Sequence, residues 1–507
     1  MTGKTSWKIL LLALLLLGAA SCGEKVKTEE ELQEEQAERT RTGVNYFAAN
    51  CMSLYYLWID DIKDQVDRWL NDELTTDPVA KVESLRYREN GKPFDRWTEI
   101  VDNFEETESG MEGVSTTYGC DVTLMRLDKT YICAVVTVVY AGSPAEKAGL
   151  KRGDVIVQIG GQPMTQDNYY SLVTDGFLYS KECRITLLDR DTGTAGKSLS
   201  MTAVTMYEDP VVYDTVFTVG DKKVGYLVFT SFTFRAIDRL LGVFERFRIA
   251  GVGELILDLR YNGGGYVTTE EALASMMAPL ANVQRGDVFE QSVFNEALTN
   301  YYLKKNGINA LKTCFKTSFT WQDSDVIPTT TDTRSGHLEL GHVYAIIDSG
   351  TASASESLLV GLMPYLPITL IGQQSHGKFC TGILYGAQEW YDDYTDELRS
   401  NWYGYRKDVA HWGLYIMIGR YADCNGNCPA MPDGLTPDYE VEDDPYYPFG
   451  DERDPMLRKA LILAGRTDLQ AAPATRSQAG PGLERAPRQV VKPTFGKRIL
   501  SRQGSPE

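Results

Sequence analysis

Basic charge is scarce in this chain. Its 507 residues carry 51 Lys and Arg against 70 Asp and Glu, a net charge of −19. A surface this acidic argues against nucleic acid as a partner, because displacing counterions from phosphates requires positive charge. Histidine is scarcer still, with four in all, and His337, His342 and His411 show no metal-ligand spacing. Beyond the first 22 residues no segment has 18 consecutive apolar residues, so no later segment reads as a membrane-spanning helix. The cysteines beyond Cys22 fall at irregular intervals, and a chain this long does not need disulfide staples. Only Cys424-Asn-Gly-Asn-Cys428 is suggestive, as a local disulfide around a turn or two free thiols, and it offers no second pair for a metal. No cofactor is expected.

What is present begins at the N-terminus. Lys4 and Lys8 precede an apolar run from Ile9 to Leu17, followed by the small residues Gly18-Ala19-Ala20-Ser21 and then Cys22. A basic head, a short apolar stretch and a small-residue exit make a secretory signal over 1–21. Its end at a cysteine resembles a bacterial lipoprotein signal, although Ala19 stands where that pattern prefers leucine. The resemblance implies lipidation of Cys22, export, and attachment to a bacterial membrane at the periplasmic face or the cell surface. The acidic stretch EKVKTEEELQEEQAE leads 22–43 to be read as a solvated tether or frayed helix.

Residues 44–115 form a mainly helical region, with Tyr46, Phe47, Met52, Leu54, Trp58, Ile62, Val66 and Trp69 spaced by three and four. From about Gly119 the period shortens to that of strands. The string SPAEKAGLKRGDVIVQIGGQPM places a short helix between two strands, with glycine at its end and in the turns. It resembles the PDZ domains of exported proteases. The resemblance implies, over 116–205, capture of an extended peptide by strand addition, with a terminal carboxylate held near Tyr118, Gly119, Cys120 and Asp121. That loop lacks the usual Gly-apolar-Gly pattern.

Residues 206–466 alternate strands and helices and predict an α/β core. Residues 467–507, rich in Pro, Gly, Gln, Arg and Ala, read as a disordered basic tail; from Asp468 onward the charge is 7 − 3 = +4. The assembled expectation is a multidomain α+β and α/β chain: a helical segment, a PDZ-like β domain and an α/β core.

Two constellations carry chemistry. Asp258-Leu259-Arg260-Tyr261-Asn262-Gly263-Gly264-Gly265 is a glycine-rich turn after a buried strand, able to aim N–H groups at an anion, but without the Lys-Ser/Thr ending of a nucleotide loop. Asp348-Ser349-Gly350-Thr351-Ala352-Ser353-Ala354-Ser355-Glu356 passes from strand to helix, so its serines serve either as helix caps or as a nucleophile. Lys378 follows Ser353 by 25 residues.

Taken together, GTASASE, HGK, DLRYNGGG and the later Gly434-Leu435-Thr436-Pro437-Asp438 resemble the carboxyl-terminal processing (tail-specific) proteases, serine peptidases with a PDZ domain before a crotonase-like core. The resemblance covers roughly 44–466. Carried over by position, it implies Ser353 as nucleophile, Lys378 as general base, and an oxyanion hole from Gly264 or Gly265 and the amide of Ala354. A buried lysine has its pKa lowered and can act as base. Two departures stand out. The glutamine expected four residues after the lysine is Gly382, leaving Gln373, Gln374 or Glu356 to orient Lys378. His376 is a rival base, and Cys380 a remote rival nucleophile. The expected partners are protein or peptide substrates recognised by their C-terminal tails. The alternative from another class is a catalytically weak or inactive peptide-binding scaffold of the same fold. A third reading, a glycan-binding surface lipoprotein, rests on the aromatic content alone.

Overall fold

The computed structural model describes residues 27–323, 327–393, 402–471 and 484–486. The signal segment and Cys22 lie outside the described residues. So does most of the tail beyond 471.

The acidic stretch is helical rather than a tether. One helix, Glu29–Tyr55, runs from it into the apolar region. Thr28 caps it: Glu31 N–H donates to Thr28 Oγ1 (3.2 Å) and Thr28 N–H to the Glu31 carboxylate (2.7 Å). Three glutamates in the first turn complement the positive end of the helix dipole, and Arg39 pairs with Asp408 at 2.7 Å. Local capping thus outweighs the repulsion that composition suggested. A second helix, Ile59–Asp72, follows, burying Ile62, Val66 and Trp69.

This N-terminal region is not a separate unit. Its helices share a core with Trp390, Tyr391, Leu414 and Ile416. Its strand Glu99–Val101 pairs antiparallel with Gly413–Asp423, which sets Glu99 opposite Tyr415.

The PDZ sheet is antiparallel. Strand Cys120–Arg126 pairs with Ile132–Val139, which pairs in turn with Val155–Ile159. The other edge of Cys120–Arg126 is taken by the chain's own tail: Glu484 pairs with Arg126 and Arg485 with Met125. Ala486 N–H donates to Leu124 O at 3.0 Å, and Ala486 is buried in the PDZ core. At Glu484–Arg485 the tail is therefore strand, where its composition predicted disorder.

The core is a six-stranded sheet in the order Val211–Val219, Lys222–Phe229, Val252–Asp258, His342–Ile347, Ile368–Gly372, Tyr439–Glu440. The first pair is antiparallel and the rest parallel. Alternating side chains serve both faces: Val343, Ala345 and Ile347 pack under helix Ala236–Ala250, while Tyr344 and Ile346 pack against helix Pro455–Ala464. A second, antiparallel sheet carries Val288–Phe294, Gly413–Asp423 and Cys380–Gly386. The candidate site lies where the C-terminal ends of the parallel strands meet this second sheet. Cys424 and Cys428 are free thiols; the turn between them is held instead by the Asp423 carboxylate, which accepts the N–H groups of Asn425 and Asn427 at 2.8 Å each.

Candidate active site

Parallel strands end on one side, so the turns after Val252–Asp258 and His342–Ile347 come together. The two are stitched at several points. Asp348 Oδ1 accepts the N–H groups of Tyr261 (3.1 Å) and Gly350 (3.0 Å). Asn262 O accepts Ala352 N–H and Ser355 Oγ–H, both at 3.0 Å. Ser353 ends the second turn and starts helix Ala354–Leu362. Its φ of 58° and ψ of −119° are unusual for a residue with a side chain, a conformation that costs on the order of 1–3 kcal/mol and persists because the surroundings impose it.

The glycine turn must come close. A Cβ on Gly264 (φ 100°) would lie 2.7 Å from Ser353 Cβ and 2.9 Å from Ala354 N, so no side chain fits there. Gly264 N–H is occupied, donating to Asn262 Oδ1 at 2.9 Å. The N–H groups of Gly265 and Ala354 have no acceptor among the described residues, and both residues line the same cavity as Ser353.

Glu356 joins the serine turn to the lysine segment. One carboxylate oxygen accepts Ser353 N–H (3.0 Å) and Lys378 N–H (2.9 Å); the other accepts Gly377 N–H (2.7 Å) and the Ser375 hydroxyl. Ser353 and Lys378 thus lie two hydrogen bonds apart through a single atom. Burial raises the Glu356 pKa, and these donors act against that rise. Tyr421 Oη adds a second link, donating to Lys378 O (3.1 Å) and Ser353 O (3.4 Å). The Gly434–Asp438 segment closes the arrangement, with Leu435 N–H on Ser375 Oγ (2.6 Å) and Leu370 N–H on the Asp438 carboxylate (2.8 Å).

Lys378 is 2% exposed. Burial lowers its pKa from 10.5 to about 8, with Cys380, Glu99 and Glu356 opposing the drop. Nζ donates to Tyr415 Oη at 3.0 Å and stands 5.0 Å from the centre of that ring. A Cβ on Gly382 would lie 2.8 Å from Tyr415 Cζ and 2.3 Å from Met417 Cε. The tyrosine ring therefore fills the space that a side chain at 382 would need, which is why glycine stands there. Tyr415 was not among the residues singled out from sequence, and neither was Glu99, which burial pushes up to about 8. Position 382 was their only trace.

The other sequence candidates are placed elsewhere. Gln374 is exposed and donates to Asp433 O (2.7 Å), and Gln373 gives its backbone N–H to Ile347 O (3.0 Å). His376 is exposed beside Trp97, ring centres 6.3 Å apart. Cys380 is buried, and its thiol is pushed well up by that burial, the opposite of an activated nucleophile. In the PDZ domain Tyr118 and Cys120 are buried. Gly119 N–H donates to Thr117 Oγ1 at 2.9 Å, and Cys120 and Asp121 pair with Val139 and Val138. Asp121 Oδ2 accepts the Tyr140 hydroxyl at 2.9 Å. The domain meets the core at Arg152, which is held within the domain by Thr137 O (2.7 Å) and reaches Tyr261 Oη (3.1 Å) and Tyr447 O (2.9 Å).

Residues 223–441 match the model of peptidase family S41 and residues 135–172 that of a PDZ domain. The chain is 25% identical over 253 residues to the carboxy-terminal processing protease CtpA of Bacillus subtilis, covering 50% of this chain and 45% of that protein. It is 27% identical over 165 residues to the chloroplastic C-terminal processing peptidase of Tetradesmus obliquus, covering 30% of this chain and 34% of that one. The matched region thus spans a third to a half of those relatives' length. In fold, the chain is similar to a Bacteroides fragilis crystal structure described as an S41 protease, with a TM-score of 0.61 and 21% identity over 83% of this chain and 97% of that one.

Proposed function

We propose, from the match of residues 223–441 to peptidase family S41 and of residues 135–172 to a PDZ domain, that the chain is an exported serine endopeptidase working through Ser353 and Lys378 on peptides or proteins engaged by their C-terminal tails. The observation that carries this reading is the Glu356 carboxylate, one oxygen of which holds the amides of Ser353 and Lys378 together. With a pKa of about 8, a useful fraction of Lys378 is neutral at physiological pH and accepts the Ser353 Oγ proton as Oγ attacks the substrate carbonyl. The developing oxyanion takes the unclaimed N–H groups of Ala354 and Gly265, the first of them at a helix N-terminus. Lys378 then passes the proton to the leaving amine, and water attacks the acyl-enzyme by the same route in reverse. Tyr415 holds the amine in position, in the role the family gives to glutamine.

Export and anchoring through a lipid on Cys22 complete the proposal and are supported by the sequence of the signal segment. The test of the chemistry is a serine-directed fluorophosphonate. It should label the wild-type protein once and leave Ser353→Ala unlabelled, with loss of peptide hydrolysis and an almost unchanged melting temperature. Labelling of Ser353→Ala, or hydrolysis by it, would remove Ser353 from the mechanism. A wild-type protein that neither labels nor cleaves would favour a peptide-binding scaffold.

A further inference from the structure

The cavity that opens at Ser353 has a volume of about 480 Å³ and is charged in one sense only. Glu108, Glu270 and Glu290 line it, and no lysine, arginine or histidine does. Ile383, Leu384 and Ile418 supply apolar wall. Glu270 comes from helix Val267–Met277, which begins directly after the glycine turn, and Glu290 from the second sheet. Both are buried, at 1% and 6% exposure. Glu290 accepts the hydroxyl of Ser357, which also lines the cavity. Ser357 stands one turn along the helix from Ser353, a rise of about 5 Å, so its bond to Glu290 places that carboxylate beyond the serine turn.

One atom of this pair is unsatisfied. Glu270 Oε1 has no hydrogen-bond partner and no solvent exposure. Burial, and then the neighbouring Glu290, push the Glu270 carboxyl well above its ordinary range, and burial pushes Glu290 up to about 7. Left to themselves, two such carboxyl groups hold protons, and a cation placed between them would favour their charged forms. Among the described residues neither carboxyl group forms an ion pair, and Lys316 is engaged with Glu271. Among the described residues no group of three potential metal ligands forms here. A substrate side chain with an apolar stem and a cationic tip would meet each requirement, its stem against Ile383 and Leu384 and its charge between Glu270 and Glu290.

We propose that this cavity is the pocket for the substrate residue preceding the cleaved bond, and that it selects lysine or arginine. The proposal rests on Ser353 being the nucleophile. Glu270 and Glu290 determine specificity and take no part in bond cleavage. A cation at their carboxylates makes charge-assisted hydrogen bonds that an isosteric apolar side chain does not.

The experiment uses peptides that differ only before the scissile bond, with lysine, arginine or norleucine there. The wild-type protein should cleave the lysine and arginine peptides with a kcat/KM at least tenfold above norleucine, and Ser353→Ala should cleave none. In Glu270→Gln and Glu290→Gln, each nearly isosteric, the lysine-to-norleucine ratio should fall at least fivefold. Fluorophosphonate labelling reports separately on the nucleophile. Normal labelling with norleucine cleaved as well as lysine, or with an unchanged ratio in both variants, overturns the pocket assignment and leaves the peptidase standing. Absence of both labelling and cleavage overturns the assignment of Ser353 and this proposal with it.

Discussion

Replacing Lys378 by methionine should abolish activity and stabilise the protein. Methionine nearly matches the lysine stem in length and carries no charge. In the folded state burial holds the Lys378 pKa at about 8, against 10.5 for an ordinary lysine. The unfolded chain therefore binds a proton between pH 8 and 10.5 that the folded chain does not. Stability from this group rises with pH across that window and is lowest below pH 8. A drop of about 2.5 pH units corresponds to roughly 3 kcal/mol of cost at neutral pH. Methionine removes that cost but leaves the Tyr415 hydroxyl without one partner, a loss of about 1–2 kcal/mol. The net gain at pH 7 is then about 1–2 kcal/mol, a rise of a few degrees in melting temperature. At pH 10.5 the gain should vanish or reverse, because the wild-type lysine is then neutral in the folded state and half neutral in the unfolded one, so that most of the cost is gone. Calorimetry at pH 7 and 10.5, alongside peptide hydrolysis, reads both halves. A variant less stable than wild type at pH 7, or equally stabilised at both pH values, would show that the buried charge is not the source of the cost.

Tyr415→Phe removes the hydroxyl but keeps the ring that fills the space above Gly382. It should lower kcat about 10- to 100-fold, the equivalent of one hydrogen bond to a charged group, and shift the alkaline rise of kcat to lower pH because the ammonium loses an acceptor. An unchanged pH midpoint would reduce Tyr415 to packing. Cys22→Ala should move the protein from the membrane fraction to a soluble or uncleaved form, and unchanged fractionation would show that a lipid on Cys22 is not the anchor.

The sequence disclosed what is local. Ser353 and Glu356 belong to a single strand-to-helix turn, and a run of small residues there is readable without knowing the rest of the fold. The glycine turn was legible for the same reason. Which glycine amide is free was not, because that depends on the side chain of Asn262 turning back onto Gly264. Tyr415 and Glu99 reach Lys378 through antiparallel pairings between distant segments, Cys380–Gly386 with Gly413–Asp423 and the latter with Glu99–Val101. No periodicity announces such register. Among the three residues offered to orient the lysine, Glu356 holds its backbone, whereas the amine is held by a residue 37 positions further on. For the first helix the acidic composition left a solvated tether and a frayed helix both open, and the helix found there is capped at Thr28 and buries its later residues, such as Phe47 and Met52.

The backbone pairing of Glu484–Arg485 with the edge of Cys120–Arg126 gives that edge a resident competitor. Strand addition is exclusive: an incoming peptide that uses the same N–H and C=O groups must first displace the chain's own segment. Because the segment is covalently attached, its local concentration is set by the linker and is on the order of millimolar, whatever the amount of protein present. A ligand's apparent dissociation constant is then multiplied by the reciprocal of the fraction of time the edge stands vacant. Among the described residues the resident is held by two paired residues and the buried Ala486. A peptide able to pair along more of the seven-residue strand than the two residues Glu484 and Arg485 would compete better for this edge than a shorter one.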